Sequence, residues 1–141
     1  MEIRYRTRFA VDDTALSRLH ARAFDYAETP FAWGRVLGQP ATVTFVGAFL
    51  GADLVGFAQA RRTDPGQAGL LDVAVDPDRQ RRGIGLALVR HVIRDVEAAG
   101  LSRLLVEFEP PLSEFYFGRC GFSRRDATTG VRWLSRPQPP V

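Results

Sequence analysis

The segment that most constrains this chain runs from Leu70 to Gly100. Ile84, Leu88, Val92 and Val96 recur every four residues with Val89 and Ile93 beside them, so a helix from Ile84 to Ala99 carries one continuous apolar face. Gly100 stands where a C-terminal cap belongs. Ahead of it, Leu70 to Val75 is a short apolar run closed by Asp76-Pro77, which reads as a buried strand. A strand, a glycine-bearing loop and an amphipathic helix in that order imply a sheet with helices packed on it.

The rest of the chain fits the same class. Ile3, Tyr5, Thr7 and Phe9 alternate with Arg4, Arg6 and Arg8, a half-exposed strand. A helix follows, capped by Asp12 or Asp13, with Leu16, Leu19 and Phe24 plus Ala15 and Ala23 as its apolar stripe, ending near Asp25. Tyr26 to Pro40 is expected to be an aromatic-rich loop with one short helix. Thr42 to Leu50 and Leu54 to Arg62 flank Gly51-Ala52-Asp53 and read as an antiparallel hairpin, and Asp64-Pro65-Gly66 marks the next turn. Arg103 to Phe108 is a strand broken by Pro110-Pro111. A short helix ends at Arg119, and two further strands, from Gly121-Phe122 and at Val131 to Leu134, complete a mixed α/β sheet with helices on both faces. A single domain over 1–135 is expected, because 141 residues suit one core. A frayed tail over 136–141, which holds three of the nine prolines, should follow.

Composition closes several chemistries. All 19 basic residues are Arg, so neither a Schiff-base lysine nor a P-loop lysine exists here. The lone Cys120 forbids an internal disulfide, and with only His20 and His91 a dedicated metal site is not expected. The net charge of +3 is small, and Arg79, Arg81 and Arg82 form the one tight basic cluster, so no nucleic-acid partner is expected. No apolar run reaches the roughly 18 residues of a membrane span, and the start lacks a signal-peptide core, so the expected location is cytoplasmic without membrane contact.

Gln80-Arg81-Arg82-Gly83-Ile84-Gly85 lies between the strand and the helix. Glycines there let backbone approach a ligand, and the free N–H groups of the first helical turn suit a pyrophosphate. A dinucleotide fingerprint is excluded, because its third glycine would fall at Leu88. Val73-Ala74-Val75-Asp76-Pro77, then Gln80 to Gly85, then a long helix, with Phe115-Tyr116-Phe117 before Cys120-Gly121-Phe122, resembles the GNAT superfamily of acetyl-CoA-dependent N-acetyltransferases. The resemblance runs through the whole chain in order. It implies a mostly antiparallel sheet of about six to seven strands, splayed to form a slot for acetyl-CoA. It also implies a cofactor cradle of Val73, Ala74, Val75, Gln80, Arg81, Arg82, Gly83, Ile84, Gly85 and Leu86. Backbone near Val73 and Val75 would then hold the pantetheine arm and the acetyl carbonyl, and N–H groups from Arg81 to Leu86 the pyrophosphate.

Direct attack on a thioester requires a neutral amine, so a base must take a proton from an ammonium with pKa near 10. Val106-Glu107-Phe108 resembles the glutamate-bearing strand of the ribosomal-protein N-terminal branch, which makes Glu107 the first candidate. Asp72 resembles the acid of some aminoglycoside acetyltransferases, and Glu109 is a third carboxylate. In many relatives a tyrosine on the last helix reprotonates the CoA sulfur. Here Phe117 holds that position, and Tyr116 falls one residue earlier, about 100° around an ordinary helix, so it reaches the sulfur only if the turn widens near Gly118. Pro110 stands where the family often has Asn. Cys120, His20 and His91 are expected to be packing or surface residues.

The resemblance thus implies transfer of an acetyl group from acetyl-CoA to an amine-bearing small molecule or a peptide N-terminus, with Phe24 to Leu37 shaping the acceptor pocket. The alternative is a non-catalytic acyl-CoA sensor of the same fold. Dimerisation, common in similar proteins, is left open by the sequence.

Overall fold

The structure is a computed structural model that describes residues 2–134. The expected tail over 136–141 lies outside the described residues. Seven strands form one sheet: β1 (Arg4–Thr7), β2 (Thr42–Leu50), β3 (Asp53–Asp64), β4 (Gln67–Val75), β5 (Arg103–Glu107), β6 (Ser123–Asp126) and β7 (Thr129–Trp133). Their order is β1-β2-β3-β4-β5-β7-β6. Every neighbouring pair is antiparallel except β4 and β5, which are parallel. The expected mixed, mostly antiparallel sheet is therefore what forms, with strands longer or shorter at their ends than the local pattern implied.

Three helices cover it: α1 (Asp13–Phe24), α2 (Trp33–Leu37) and α3 (Ile84–Ala98). The Asp12 side chain accepts from the Ala15 N–H and starts α1, and Asp25, at φ +56°, ends it. Period-two alternation divides the core between the faces. Val46, Ala48, Ala58 and Ala60 point to α3 and meet Leu88, Val89, Val92 and Val96, all nearly inaccessible. Phe45, Phe57 and Ala74 point the other way, to Leu16, Leu19, Trp33 and Leu37 of α1 and α2. Each buried Val, Leu or Phe side chain among them contributes about 1.5–3 kcal/mol.

Three expectations are corrected. The first strand stops at Thr7 because Arg8 adopts φ +53°, which carries Phe9 off the sheet and into edge-on contact with Phe45, Phe49 and Phe57. Phe24, expected in the apolar stripe of α1, is 47% exposed, because the buried side of α1 uses Leu16, Leu19 and Ala21 instead. The short helix before Gly121 is a 3-10 turn, Pro110–Leu112, followed by a π-helical turn, Glu114–Arg119.

Candidate active site

Two features of β4 make the site. Its parallel ladder with β5 covers Gln67–Leu70 against Arg103–Val106 and stops there, while the antiparallel ladder with β3 continues to Val75. Strand β4 thus leaves β5 at Leu70, and its β5-facing edge from Leu71 to Val75 borders a slot. Within that stretch three steps of β4, from Leu71 to Ala74, match two steps of β3, from Gln59 to Phe57, so β4 carries a bulge. Asp72 sits in it at φ +56°, which turns its carboxylate out of the strand's alternation.

The slot is a cavity of about 470 Å³ lined by Val73, Val75, Arg79, Gln80, Arg81, Gly83, Ile84, Gly85 and Leu86 on one side and by Phe115, Tyr116 and Arg119 on the other. Gly83 caps α3 at φ +81° with no side-chain hydrogen bond to the first turn, so the leading N–H groups of α3 are left to a ligand. Gly85 keeps the slot open: a Cβ there would lie 3.4 Å from the Phe115 ring and 3.7 Å from Val75. Arg79 Nε is buried with no partner among the described residues, and Arg79, Arg81 and Arg119 all border the cavity. A slot with apolar lining, arginines at its border and an uncapped helix start fits an acyl chain carrying phosphates.

Most of the expected cradle borders this cavity. Gln80 also holds the loop, its amide donating to the Val75 carbonyl at 3.3 Å. Arg82 is exposed and lies outside the lining, and the Ala74 side chain faces α1 in the second core cluster. The loop is moored to α1 by Arg22, whose guanidinium reaches Asp76 at 3.2 Å and Asp78 at 3.1 Å.

A second cavity of about 510 Å³ adjoins the slot, sharing Phe24, Val73, Leu112 and Tyr116 with it. Asp72, Glu107 and Glu109 all line it, so the three carboxylates drawn from the sequence are brought to one hollow. Glu107 ends β5, exposed, opposite Thr129 of β7. Tyr116 is buried where slot and hollow meet, stacked on Phe108 with centroids 4.9 Å apart. Burial, with the nearby Cys120, pushes its hydroxyl well above the ordinary tyrosine value. The π turn explains its placement. Cys120 N–H donates to Phe115 O, five residues back, so the turn is wider than an α-helix and carries Tyr116 into the cavities. Phe117 instead packs on Phe108 and beneath Arg124.

The stretch Phe24 to Leu37, expected to shape the acceptor pocket, contributes Tyr26, Phe31 and Trp33 to a third cavity of about 520 Å³, which shares Leu71 and Asp72 with the hollow; sequence reasoning missed that His20, Gln59 and Arg61 line it too. His20 Nε2 lies 2.8 Å from Asp72 Oδ1, its Nδ1 lies 2.6 Å from the Tyr26 hydroxyl, and Gln59 Nε2 donates to Asp72 Oδ2 at 2.7 Å. Burial works to raise the Asp72 carboxyl, but the hydrogen bonds from His20 and Gln59 and the charge of His20 outweigh it and hold the group below its ordinary value. The sequence offers His20 only as a packing or surface residue, because its partner lies 52 residues away, beyond any local pattern. Cys120 is buried, and burial pushes its thiol up to about 11, so it is no nucleophile. His91 stacks on Tyr5 with centroids 5.0 Å apart. Among the described residues no group of three potential ligands could hold a metal, and no helix is long and apolar enough to cross a membrane.

A sequence model of the Acetyltransferase (GNAT) family matches residues 8–122. Over 84 residues the chain is 32% identical to an uncharacterized N-acetyltransferase, ycf52, of Pyropia yezoensis, covering 59% of this chain and 48% of that protein. The chain spans about half the length, or less, of the curated relatives it matches. Among solved structures it is similar to the ribosomal-protein-S18-alanine N-acetyltransferase of Escherichia coli, with a TM-score of 0.76 and 19% identity over 99% of both chains. A GNAT family acetyltransferase of Brucella melitensis in complex with acetyl-CoA gives a TM-score of 0.73 at 18% identity, over 98% of this chain and 92% of that one. At such identities the structural likeness speaks for the fold, while the family model reaches from the end of β1 to Phe122 and so takes in the slot, the loop and the π turn. This chain belongs to the acetyltransferase (GNAT) family.

Proposed function

We propose that the chain transfers an acetyl group from acetyl-CoA to a primary amine by direct attack in a ternary complex. The observation that carries this reading is the parting of β4 from β5 at Leu70 beside the uncapped start of α3, which joins a cationic slot to a hollow lined by carboxylates.

In this reading the phosphates of acetyl-CoA lie against the N–H groups of Gly83 to Leu86 with Arg79, Arg81 and Arg119 around them. The pantetheine arm follows the free edge of β4. Backbone N–H at Val73 or Val75 polarises the thioester carbonyl and holds the oxyanion of the tetrahedral adduct. Glu107 takes a proton from the acceptor nitrogen, and Asp72 adds a second negative charge that draws an ammonium into the hollow. Tyr116, between slot and hollow, gives a proton to the departing sulfur. The acceptor, a small amine or a peptide N-terminus, enters past Phe24 and Tyr26, and the reaction takes place in the cytoplasm.

Thiol release from acetyl-CoA, followed with a colour reagent over a panel of alkylamines, free amino acids, aminoglycosides and alanyl peptides, tests this together with calorimetric binding of acetyl-CoA. Turnover with one acceptor class is the expected result and names the substrate. Tight binding without turnover on any acceptor favours the non-catalytic sensor, and no binding rejects the slot.

A further inference from the structure

Resting on the amine-transfer reading, we propose that Tyr26, His20 and Asp72 form a proton relay that takes the first proton from the acceptor's ammonium group, entering at the Tyr26 hydroxyl and held on His20 Nδ1.

The hydrogen bonds fix the direction. A carboxylate only accepts, and Asp72 also accepts from Gln59, so His20 Nε2 carries a proton and donates it to Asp72 Oδ1. Nδ1 of the neutral ring is then an acceptor, and the Tyr26 hydroxyl donates to it at 2.6 Å. Burial and the charge of Asp72 both push the Tyr26 phenol up, which keeps it in the O–H form that this arrangement needs. Protonation costs no hydrogen bond. As the Tyr26 oxygen takes the ammonium proton, its own hydroxyl proton passes to Nδ1; Nδ1–H then donates to that oxygen, the new O–H points outward, and Nε2 remains on Asp72. This is the logic of a carboxylate-oriented histidine base with a tyrosine hydroxyl as the outer member.

The His20 ring packs against Phe24 and Tyr26, with ring centroids 4.5 and 5.6 Å away. Titratable or charged groups facing it are Asp72 from β4, Tyr26 after α1 and, across the cavity, Arg61 from β3, while α2 presents Trp33, with ring centroids 5.1 Å apart. The side chain of His20 is 16% exposed, whereas Tyr26 is 46% exposed and opens to solvent. Trp33 Nε1, Gln59 Oε1 and Arg61 Nη1, all on residues lining this cavity, are buried without a partner among the described residues, as expected beside a polar guest.

The chemistry needs two proton acceptors. As the N–C bond forms from the amine lone pair and the C–S bond breaks with its pair on sulfur, nitrogen sheds two protons. One leaves the ammonium before attack, and the relay takes it. The other leaves the adduct and falls to Glu107. One of the two replaces the proton that Tyr116 gives to sulfur, and the other is released to solvent through Tyr26. An imidazole is a stronger base than a carboxylate and so the better acceptor for a proton from an ammonium near 10.

The test compares wild type, His20→Gln and Tyr26→Phe, each checked by circular dichroism and acetyl-CoA affinity, on the amine of the panel that turns over and on hydroxylamine. Hydroxylamine is largely neutral at neutral pH and has no first proton to lose. Both variants should lose about 100-fold in kcat/KM on the amine. His20→Gln should also remove the acid limb of its pH profile, and both should keep hydroxylamine transfer within threefold. Because Tyr26 is half-exposed, Tyr26→Phe keeps the test open if the His20 variant fails to fold. An unaltered amine pH profile, or an equal loss on hydroxylamine, overturns the relay alone. No turnover of any amine by wild type overturns the transfer reading and the relay with it.

Discussion

Leu70 of β4 and Val106 of β5 form the last rung of the parallel ladder, and beyond them the two strands separate. Val73 and Val75 then line the slot, while Glu107, one residue past Val106, lines the hollow with Asp72. One broken register therefore sets the edge of the slot and the carboxylates side by side.

Gly83 should tolerate no β-branched residue. A Cβ there meets nothing within 4 Å, so space is not the constraint, but φ of +81° strains an L side chain by about 1–2 kcal/mol. Gly83→Val should weaken acetyl-CoA binding at least tenfold, about 1.4 kcal/mol, by calorimetry. Unchanged affinity removes the loop from the cofactor site.

Gly85→Leu acts differently. Its side chain enters the slot between Val75 and Phe115, so acetyl-CoA binding should fall by about 100-fold while the thermal midpoint moves little. A titration in which binding survives would show that the arm takes another route.

Glu107→Gln should lower kcat by about 100-fold and leave acetyl-CoA affinity within twofold, because the residue is exposed at the end of β5 and borders the hollow rather than the slot. Steady-state kinetics across pH check this, and an unaltered kcat excludes it from proton transfer.

Tyr116→Phe should cost about tenfold in kcat near neutral pH and progressively less in alkali. A thiolate of pKa near 8.5 leaves unaided more readily than most, and above that pH it needs no proton. A loss that stays constant with pH would assign Tyr116 to packing against Phe108 instead.

Asp72→Asn should remove an acid-sensitive part of stability. The carboxyl is held below its unfolded value, so its stabilisation is complete above about pH 4 and is lost as pH falls through the depressed value. Urea melts of the two proteins should therefore differ most above pH 4 and converge in stronger acid. Parallel curves would deny the His20 and Gln59 hydrogen bonds their role.

Local order was legible. The period of Ile84, Leu88, Val92 and Val96, a cap at Asp12 or Asp13, the Gly51-Ala52 turn and the glycines at the start of α3 each depend on residues a few positions apart, and spacing along the chain records them directly. The loop from Gln80 to Gly85 that leads into α3 was readable for the same reason. Tertiary structure alone decided that Phe24 faces the cavities rather than the core, because burial on α1 depends on how that helix rotates against β3 and β4. Only the folded chain shows that the turn at Glu114–Arg119 is π-helical and brings Tyr116 to the slot, since one extra residue in a turn leaves no mark in composition. The join of His20, Asp72 and Tyr26 crosses 52 residues of sequence, and a hydrogen bond between remote segments exists only once the sheet has set their distance.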